Sequence, residues 1–256
     1  MESKYKVKQI TKLYTSCDRC GLPIINCICS RIPEIKTKAE IWILCSEREF
    51  YRPSNTARLL KLANPQGTEI ILWERTKPSQ ELIEKINNEN YKTYILFPDE
   101  NDDNNEEKLI VSRDNDSIDK ALETGMGNSE KFKSLAVDDD GDDRNSKKTV
   151  ASKECGKGLE KTKAFILLDG TWKEAAKMYR KSDYLKKLPR ITLKPEHKSE
   201  YTLRKGAGEG ELCTIEAAIE VLRLNGEEKE AAVIKDVFDL FMKGFKVGAS
   251  GVGIFD

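Results

Sequence analysis

Apolar positions along this chain follow two different periods. Five short, nearly continuous runs are strand-sized: Ile41–Cys45 (IWILC), Glu69–Trp73 (EIILW), Thr93–Phe97 (TYILF), Ala164–Leu168 (AFILL) and Arg190–Leu193 (RITL). Their length and their β-branched and aromatic content predict buried strands. Between them the spacing turns helical, over Ser54–Ala63, Ser79–Asn87, Thr171–Lys181, Leu212–Leu224 and Ala231–Phe245. Ser79 follows Pro78 in a capping arrangement, and Thr171-x-x-Glu174 matches a capping box that fixes a helix start. Leu212, Ile215, Ile219 and Leu222 make one stripe, and Ile234, Val237, Phe238, Phe241 and Phe245 another. Both stripes read as core-facing. Continuous apolar strands alternating with amphipathic helices predict an α/β fold: a mostly parallel sheet with helices on both faces.

The pattern stops between residues 99 and 161. That stretch reads DENDDNNEE and later AVDDDGDDRNSKK, with 18 acidic and 11 basic residues, a net of −7. Clustered like charge and few apolar residues cannot offset the entropy of ordering, so it reads as a low-complexity acidic insertion, solvated and mostly disordered. Ser117–Thr124 has transient helical character. The alternative is an acidic arm that regulates RNA access. The whole chain of 256 residues has zero formal charge, with 44 basic and 44 acidic side chains. Residues 1–98 (16 basic, 11 acidic, net +5) and 162–256 (17 basic, 15 acidic, net +2) are mildly basic without it, which suits an RNA partner.

Several classes drop out. No run approaches the 18 or so apolar residues of a membrane span, and Met1–Thr15 has lysines but no apolar core, so neither a span nor a leader is expected. His197 is the only histidine, which excludes zinc sites built on several histidines and leaves a triad without support.

Four of the seven cysteines fall within thirteen residues, Cys17, Cys20, Cys27 and Cys29, spaced C-x2-C-x6-C-x-C. Zinc takes four tetrahedral thiolates, and Gly21 and Pro23 supply a turn that can fold the second pair back on the first. Disulfides are the competing reading, but they need an oxidising compartment. The reading is a closed, structural zinc site in an N-terminal module, residues 1–35. Residues 36–256 then form the main domain, interrupted by the insertion at about 99–161. Cys45, Cys155 and Cys213 are scattered and receive no role.

Asp169-Gly170-Thr171-Trp172 follows the run AFILL and opens a capped helix. Ligands in open α/β sheets bind beyond the carboxyl ends of the strands, and a helix N-terminus there offers free N–H groups. By local chemistry Asp169 is either a turn residue or a site residue, and Trp172 either a core anchor or a stacking surface. Lys173, Lys177, Arg180, Lys181, Lys186, Lys187 and Arg190 crowd the following helix and turn, as a solvated face or a phosphate track. The loop Gly206–Gly210 is either a flexible connection or a backbone cradle, with Arg204 beside it as a cation.

The cysteine cluster, Ser54-Asn55-Thr56-Ala57, Phe97-Pro98, Asp169-x-Thr171-Trp172, Tyr201-x-Leu203-Arg204-Lys205 and Cys213-Thr214-Ile215-Glu216-Ala217 stand in the order found in the DTW-domain family, which the chain resembles over roughly residues 14–98 and 163–225. The resemblance implies a SPOUT-like sheet with a knotted C-terminal part. It also implies a cytoplasmic tRNA-uridine aminocarboxypropyltransferase, which moves the 3-amino-3-carboxypropyl group of S-adenosylmethionine to N3 of a uridine in tRNA and releases methylthioadenosine. No obligate protein partner is implied. Phe97, Pro98, Thr171, Trp172, Arg204 and Thr214 are the candidate cofactor-binding residues. Lys173, Lys177, Arg180, Lys181, Lys187 and Arg190 are the candidate RNA-binding residues. The chain departs from the family where Cys45-Ser46-Glu47-Arg48-Glu49 replaces a His-Pro-x-Glu-like segment.

The implied reaction is a displacement at carbon with a neutral thioether leaving. The barrier lies in losing the N3 proton and in alignment, so a carboxylate near N3 is expected, with a general base giving about 10²–10⁴-fold. Asp169 is the expected base, with Glu47, Glu49 and Glu216 in reserve. A SPOUT-type RNA methyltransferase and a non-catalytic zinc-containing RNA-binding protein are the competing functions.

Overall fold

The computed structural model describes residues 15–97, 108–111, 161–193, 199–203 and 212–248. Six strands form one sheet: β1 (Glu40–Cys45), β2 (Thr68–Leu72), β3 (Tyr91–Leu96), β4 (Lys108–Val111), β5 (Thr162–Asp169) and β6 (Arg190–Leu193). Their order is β2-β1-β5-β3-β6-β4, and every pairing is parallel. The helices are α1 (Glu47–Phe50), α2 (Ala57–Ala63), α3 (Gln80–Ile86), α4 (Trp172–Lys181), α5 (Asp183–Lys186), α6 (Thr214–Leu224) and α7 (Glu228–Gly248).

Successive side chains on a strand point to opposite faces, so each apolar run feeds two cores. Ile41, Ile43, Tyr94, Leu96, Phe165, Leu167 and Ile191 join one core with α2, α6 and α7. Trp42, Leu44, Ile95, Phe97, Ala164 and Ile166 join the other with Leu82 of α3, Ala175, Met178 and Tyr179 of α4, and Leu185 of α5. The expected parallel sheet with helices on both faces is therefore present. Tyr94 stacks on Phe165 on the first face, and Phe97 on Tyr179 at 4.3 Å on the second. Burying each large apolar side chain contributes about 1.5–3 kcal/mol, so both faces anchor the sheet.

The local signals hold where they are local. Ser79 caps α3 through Leu82 N, and Thr171 and Glu174 form the reciprocal capping box of α4. Three differences have physical causes. Helical spacing begins at Ser54, but α2 starts only at Ala57, because the Asn55 amide bonds Glu49 O and Asp169 instead of continuing a helix. The stretch read as a solvated and mostly disordered insertion contains β4, a four-residue strand paired to β6. Its partner edge is created by the tertiary fold, so composition alone hid it. The proposed helix over Ser117–Thr124 lies outside the described residues. Arg190 is wholly buried, in a strand flanked by β3 and β4, so it is removed from the RNA-binding set. Counting it with the neighbouring lysines ignored that the chain dives into the sheet after Pro189.

Candidate functional site

The pairing of β1 with β5 sets Cys45 opposite Asp169 at the carboxyl ends of two central strands. Asp169 continues the alternation of Phe165 and Leu167, so its side chain lies on the face covered by α2 and α6. It is only 4% exposed. Three side chains donate to its carboxylate: the Cys45 thiol to Oδ2 at 3.0 Å, the Asn55 amide to Oδ2 at 2.5 Å and the Thr214 hydroxyl to Oδ1 at 2.6 Å. The Ser46 amide donates to the Asp169 carbonyl at 3.0 Å. Burial pushes the Cys45 thiol far above its usual range, and the Asp169 charge and hydrogen bond add to that. Cys45 is thus a neutral donor.

A cavity opens beside Asp169, with about 970 Å³ of empty space including its open mouth. Leu96–Phe97, Leu167–Gly170, Ile191 and Leu193 at three strand ends form its floor. Trp172 and Ala175 of α4, Thr56, Tyr201, and Leu212–Thr214 with Ala217 of α6 form its walls. Trp172 stands at the rim, 37% exposed, with its ring available to a flat ligand. Tyr201 is fixed from two sides. Its hydroxyl donates to Ser54 O at 2.7 Å, and its segment is held by Glu216, which accepts from Ser199 Oγ at 2.6 Å and Glu200 N at 2.7 Å. Glu216 also accepts from Cys213 N at 2.8 Å, closing the N-terminus of α6. Burial and the Glu216 charge keep the Cys213 thiol protonated.

Of the residues expected at the cofactor, Phe97, Trp172 and Thr214 line this cavity with Asp169. Thr171 does not. Its hydroxyl and amide both donate to Glu174 Oε2, at 2.8 and 2.9 Å, so it works as a helix cap. Pro98, Arg204 and Gly206–Gly210 lie outside the described residues. Lys173, Lys177, Arg180 and Lys181 are exposed on α4, the helix that begins at Trp172, and Lys187 is exposed just beyond it. The reserve bases fare poorly. Glu49 is wholly buried and paired with Arg52 at 2.9 Å, Glu216 holds the Tyr201 segment, and Glu47 is exposed. Cys45, left without a role by the sequence, touches the central carboxylate. Only the register of two strands could have shown it.

Cys17, Cys20, Cys27 and Cys29 form a four-thiol cluster that can hold a metal ion, their sulfurs all within 4.8 Å of one another. Cys17–Cys29, Cys20–Cys27 and Cys17–Cys27 separations are 3.7, 3.9 and 3.5 Å. A tetrahedral zinc with Zn–S bonds of about 2.3 Å has S···S edges of about 3.8 Å, so the donor set fits. Hydrogen bonds from Cys20 and Cys29 pull the Cys17 thiol far down, whereas Cys20 is pushed up to about 12, chiefly by its bond to Cys17. None of the six described cysteines is in a disulfide.

This cluster is joined to the cavity wall. Gly21 has φ 84°, and an added Cβ would stand 2.1 Å from Pro53 O, so only glycine allows this approach. The Arg58 guanidinium bridges Asp18 O, Phe50 O and Arg52 O at 3.4, 3.2 and 3.0 Å. Burial lowers its pKa, opposed by the charges of Cys20 and Asp169. Cys20, Leu22 and Ile28 pack into the same core as α2, α6 and α7.

A parallel sheet with a cavity lined by Asp169 at its carboxyl edge, beside a thiol cluster that can hold a metal ion, defines an α/β protein with a candidate ligand site. The comparison of sequences gives the family: the DTW-domain model matches residues 14–246, and the chain belongs to the DTW-domain family. Membership points to a tRNA-modifying enzyme. No solved structure matches the chain. Among the described residues no helix is long and apolar enough to cross a membrane.

Proposed function

We propose that this protein transfers the 3-amino-3-carboxypropyl group of S-adenosylmethionine to N3 of a uridine in tRNA, releasing methylthioadenosine. The observation that carries the reading is the coincidence of the family's Asp169-x-Thr171-Trp172 segment with the cavity at the strand ends, which Asp169 and Trp172 line. Phe97, Trp172 and Thr214 contact the cofactor, and the family resemblance adds Pro98 and Arg204, while Thr171 serves by capping the helix that begins at Trp172. Asp169 is the carboxylate at the reacting end. The exposed bases Lys173, Lys177, Arg180, Lys181 and Lys187 hold tRNA phosphates beside the Trp172 rim. The attacking N3 gives up its proton to water, the N–C bond forms, and the C–S bond breaks with its electron pair going to sulfur.

The same reading assigns a SPOUT-like fold with a knotted C-terminal part. The interior position of β6, between two strands that precede it in the chain, supports that topology. It assigns zinc to Cys17, Cys20, Cys27 and Cys29, in a module of residues 1–35 attached to a catalytic domain of residues 36–256. Zinc there would supply folding energy and no chemistry, since four protein ligands close the site. The protein is expected to act in the cytoplasm without an obligate protein partner.

The test is incubation with S-adenosylmethionine and unmodified tRNA, followed by mass analysis of the nucleosides. A uridine heavier by an aminocarboxypropyl group is expected. A uridine or other base heavier by a methyl group would replace this reading with a methyltransferase, and no product at all would favour an RNA-binding protein.

A further inference from the structure

The donors on Asp169 bear on what that carboxylate does. A carboxylate oxygen offers about two lone-pair positions. Oδ2 fills both with Cys45 and Asn55, whereas Oδ1 has one donor, Thr214. One acceptor position remains, on an oxygen of a residue that lines the cavity. Among the described residues no lysine or arginine forms an ion pair with Asp169. Arg58 feels its charge, but its guanidinium is engaged by three backbone carbonyls. A buried carboxylate held by three donors, with one open acceptor position and no paired cation among the described residues, on a residue that lines the cavity, is matched by a cationic N–H donor on the ligand.

We propose that Asp169 is the anionic anchor for a primary ammonium group of the cavity's ligand, and not the base that takes the uridine proton. The inference rests on the transferase reading, in which that group is the α-ammonium of S-adenosylmethionine. The sulfonium is the poorer match because it has no N–H to donate. It also loses its charge as the C–S bond breaks, so a counter-ion there would hold the ground state more tightly than the transition state. The ammonium keeps its charge and its hydrogen bond throughout the transfer. It also belongs to the group that moves, so anchoring it fixes the carbon under attack. The N3 proton then passes to water.

Binding separates the two roles. S-adenosylhomocysteine carries the ammonium without the sulfonium, its deaminated analogue lacks the ammonium, and methylthioadenosine lacks the whole amino-acid arm. Calorimetry with wild-type protein and Asp169→Asn should show that the substitution weakens S-adenosylhomocysteine roughly 10- to 100-fold, the range of a hydrogen bond between charged groups. It should leave methylthioadenosine within about twofold. The deaminated analogue should bind wild type about as weakly as S-adenosylhomocysteine binds the variant. Should Asp169→Asn fail to fold, the comparison of the two homocysteine ligands on wild type still decides. Equal affinity of wild type for both ligands, or unchanged S-adenosylhomocysteine binding in a folded Asp169→Asn, overturns the anchor and returns Asp169 to the role of base. Wild-type protein that binds none of these nucleosides overturns the transferase reading and the anchor with it.

Discussion

The Asn55 amide reaches across 114 residues of sequence to donate to Asp169 Oδ2 at 2.5 Å. The same amide donates to Glu49 O at 3.1 Å. One side chain therefore latches the segment after β1 to the end of β5 and helps fix the orientation of the cavity's carboxylate. Asn55 is only 3% exposed, so no water replaces it cheaply.

Asn55→Ala removes both bonds, while Glu49 O keeps the Arg52 amide and Asp169 Oδ2 keeps the Cys45 thiol. The cost should be about 0.5–1.5 kcal/mol for the bond to the carbonyl and about 1.5–3 kcal/mol for the bond to the carboxylate, seen as a fall of several degrees in Tm. Asn55→Asp, which sets a second carboxylate against Asp169, should be worse still. Thermal melts of the two variants check this, and an unchanged Tm in both would show that the latch carries no stability.

The thiol cluster should hold one zinc per chain. Metal analysis of purified protein tests the stoichiometry. Cys20→Ser should destabilise by several kcal/mol, since such metals supply folding energy directly. Chelation should also loosen the Pro53–Thr56 wall, because Gly21 and Arg58 tie it to the cluster. Hydrogen exchange at Asn55 and Thr56 would report that loosening. Protein without metal but with an undiminished Tm would contradict the assignment.

The acidic segment divides in two. Replacing residues 112–160 with a flexible linker of about 15 residues, enough to cross the two strands between β4 and β5, should change Tm little. Loop length costs only about 0.6 kcal/mol per doubling. Extending the deletion through Lys108–Val111 should lower Tm, because it strips β6 of a paired neighbour. Equal melting of the two deletions would show that β4 adds nothing.

Glu174 gives a pH dependence. Burial raises its pKa, but the hydrogen bonds from the Thr171 amide and hydroxyl outweigh this and hold it below its ordinary 4.5. A depressed carboxyl contributes stability above its unfolded pKa and loses it as pH falls through the folded one. Glu174→Gln should therefore melt lower than wild type at neutral pH, with the gap closing as pH falls below the ordinary carboxyl range. Melts from neutral to acid pH measure it, and a constant gap across that range would rule out the linkage.

Much of the site's neighbourhood was legible in advance. The run before Asp169, the capping box after it and the four spaced cysteines are close in sequence, so local rules placed them. Lys173, Lys177, Arg180 and Lys181 stand exposed on one helix, as their spacing predicted. Arg190 failed the same reasoning because burial depends on which strands flank β6, and that is set elsewhere in the chain.

By itself, the sequence determined five of the six described strands, the five longer helices, the caps of α3 and α4 and the thiol cluster, because propensity, alternation and capping act over a few residues. The tertiary structure decided the strand order β2-β1-β5-β3-β6-β4 and the register that sets Cys45 opposite Asp169. The Cys45 and Asp169 side chains are separated by 124 positions and meet at 3.0 Å. Thr214, 45 positions from Asp169, closes on it from the other side at 2.6 Å. No local rule links such residues. They meet because two cores must close on opposite faces of one sheet, and the pairing that buries both sets of apolar side chains fixes which strand ends come together.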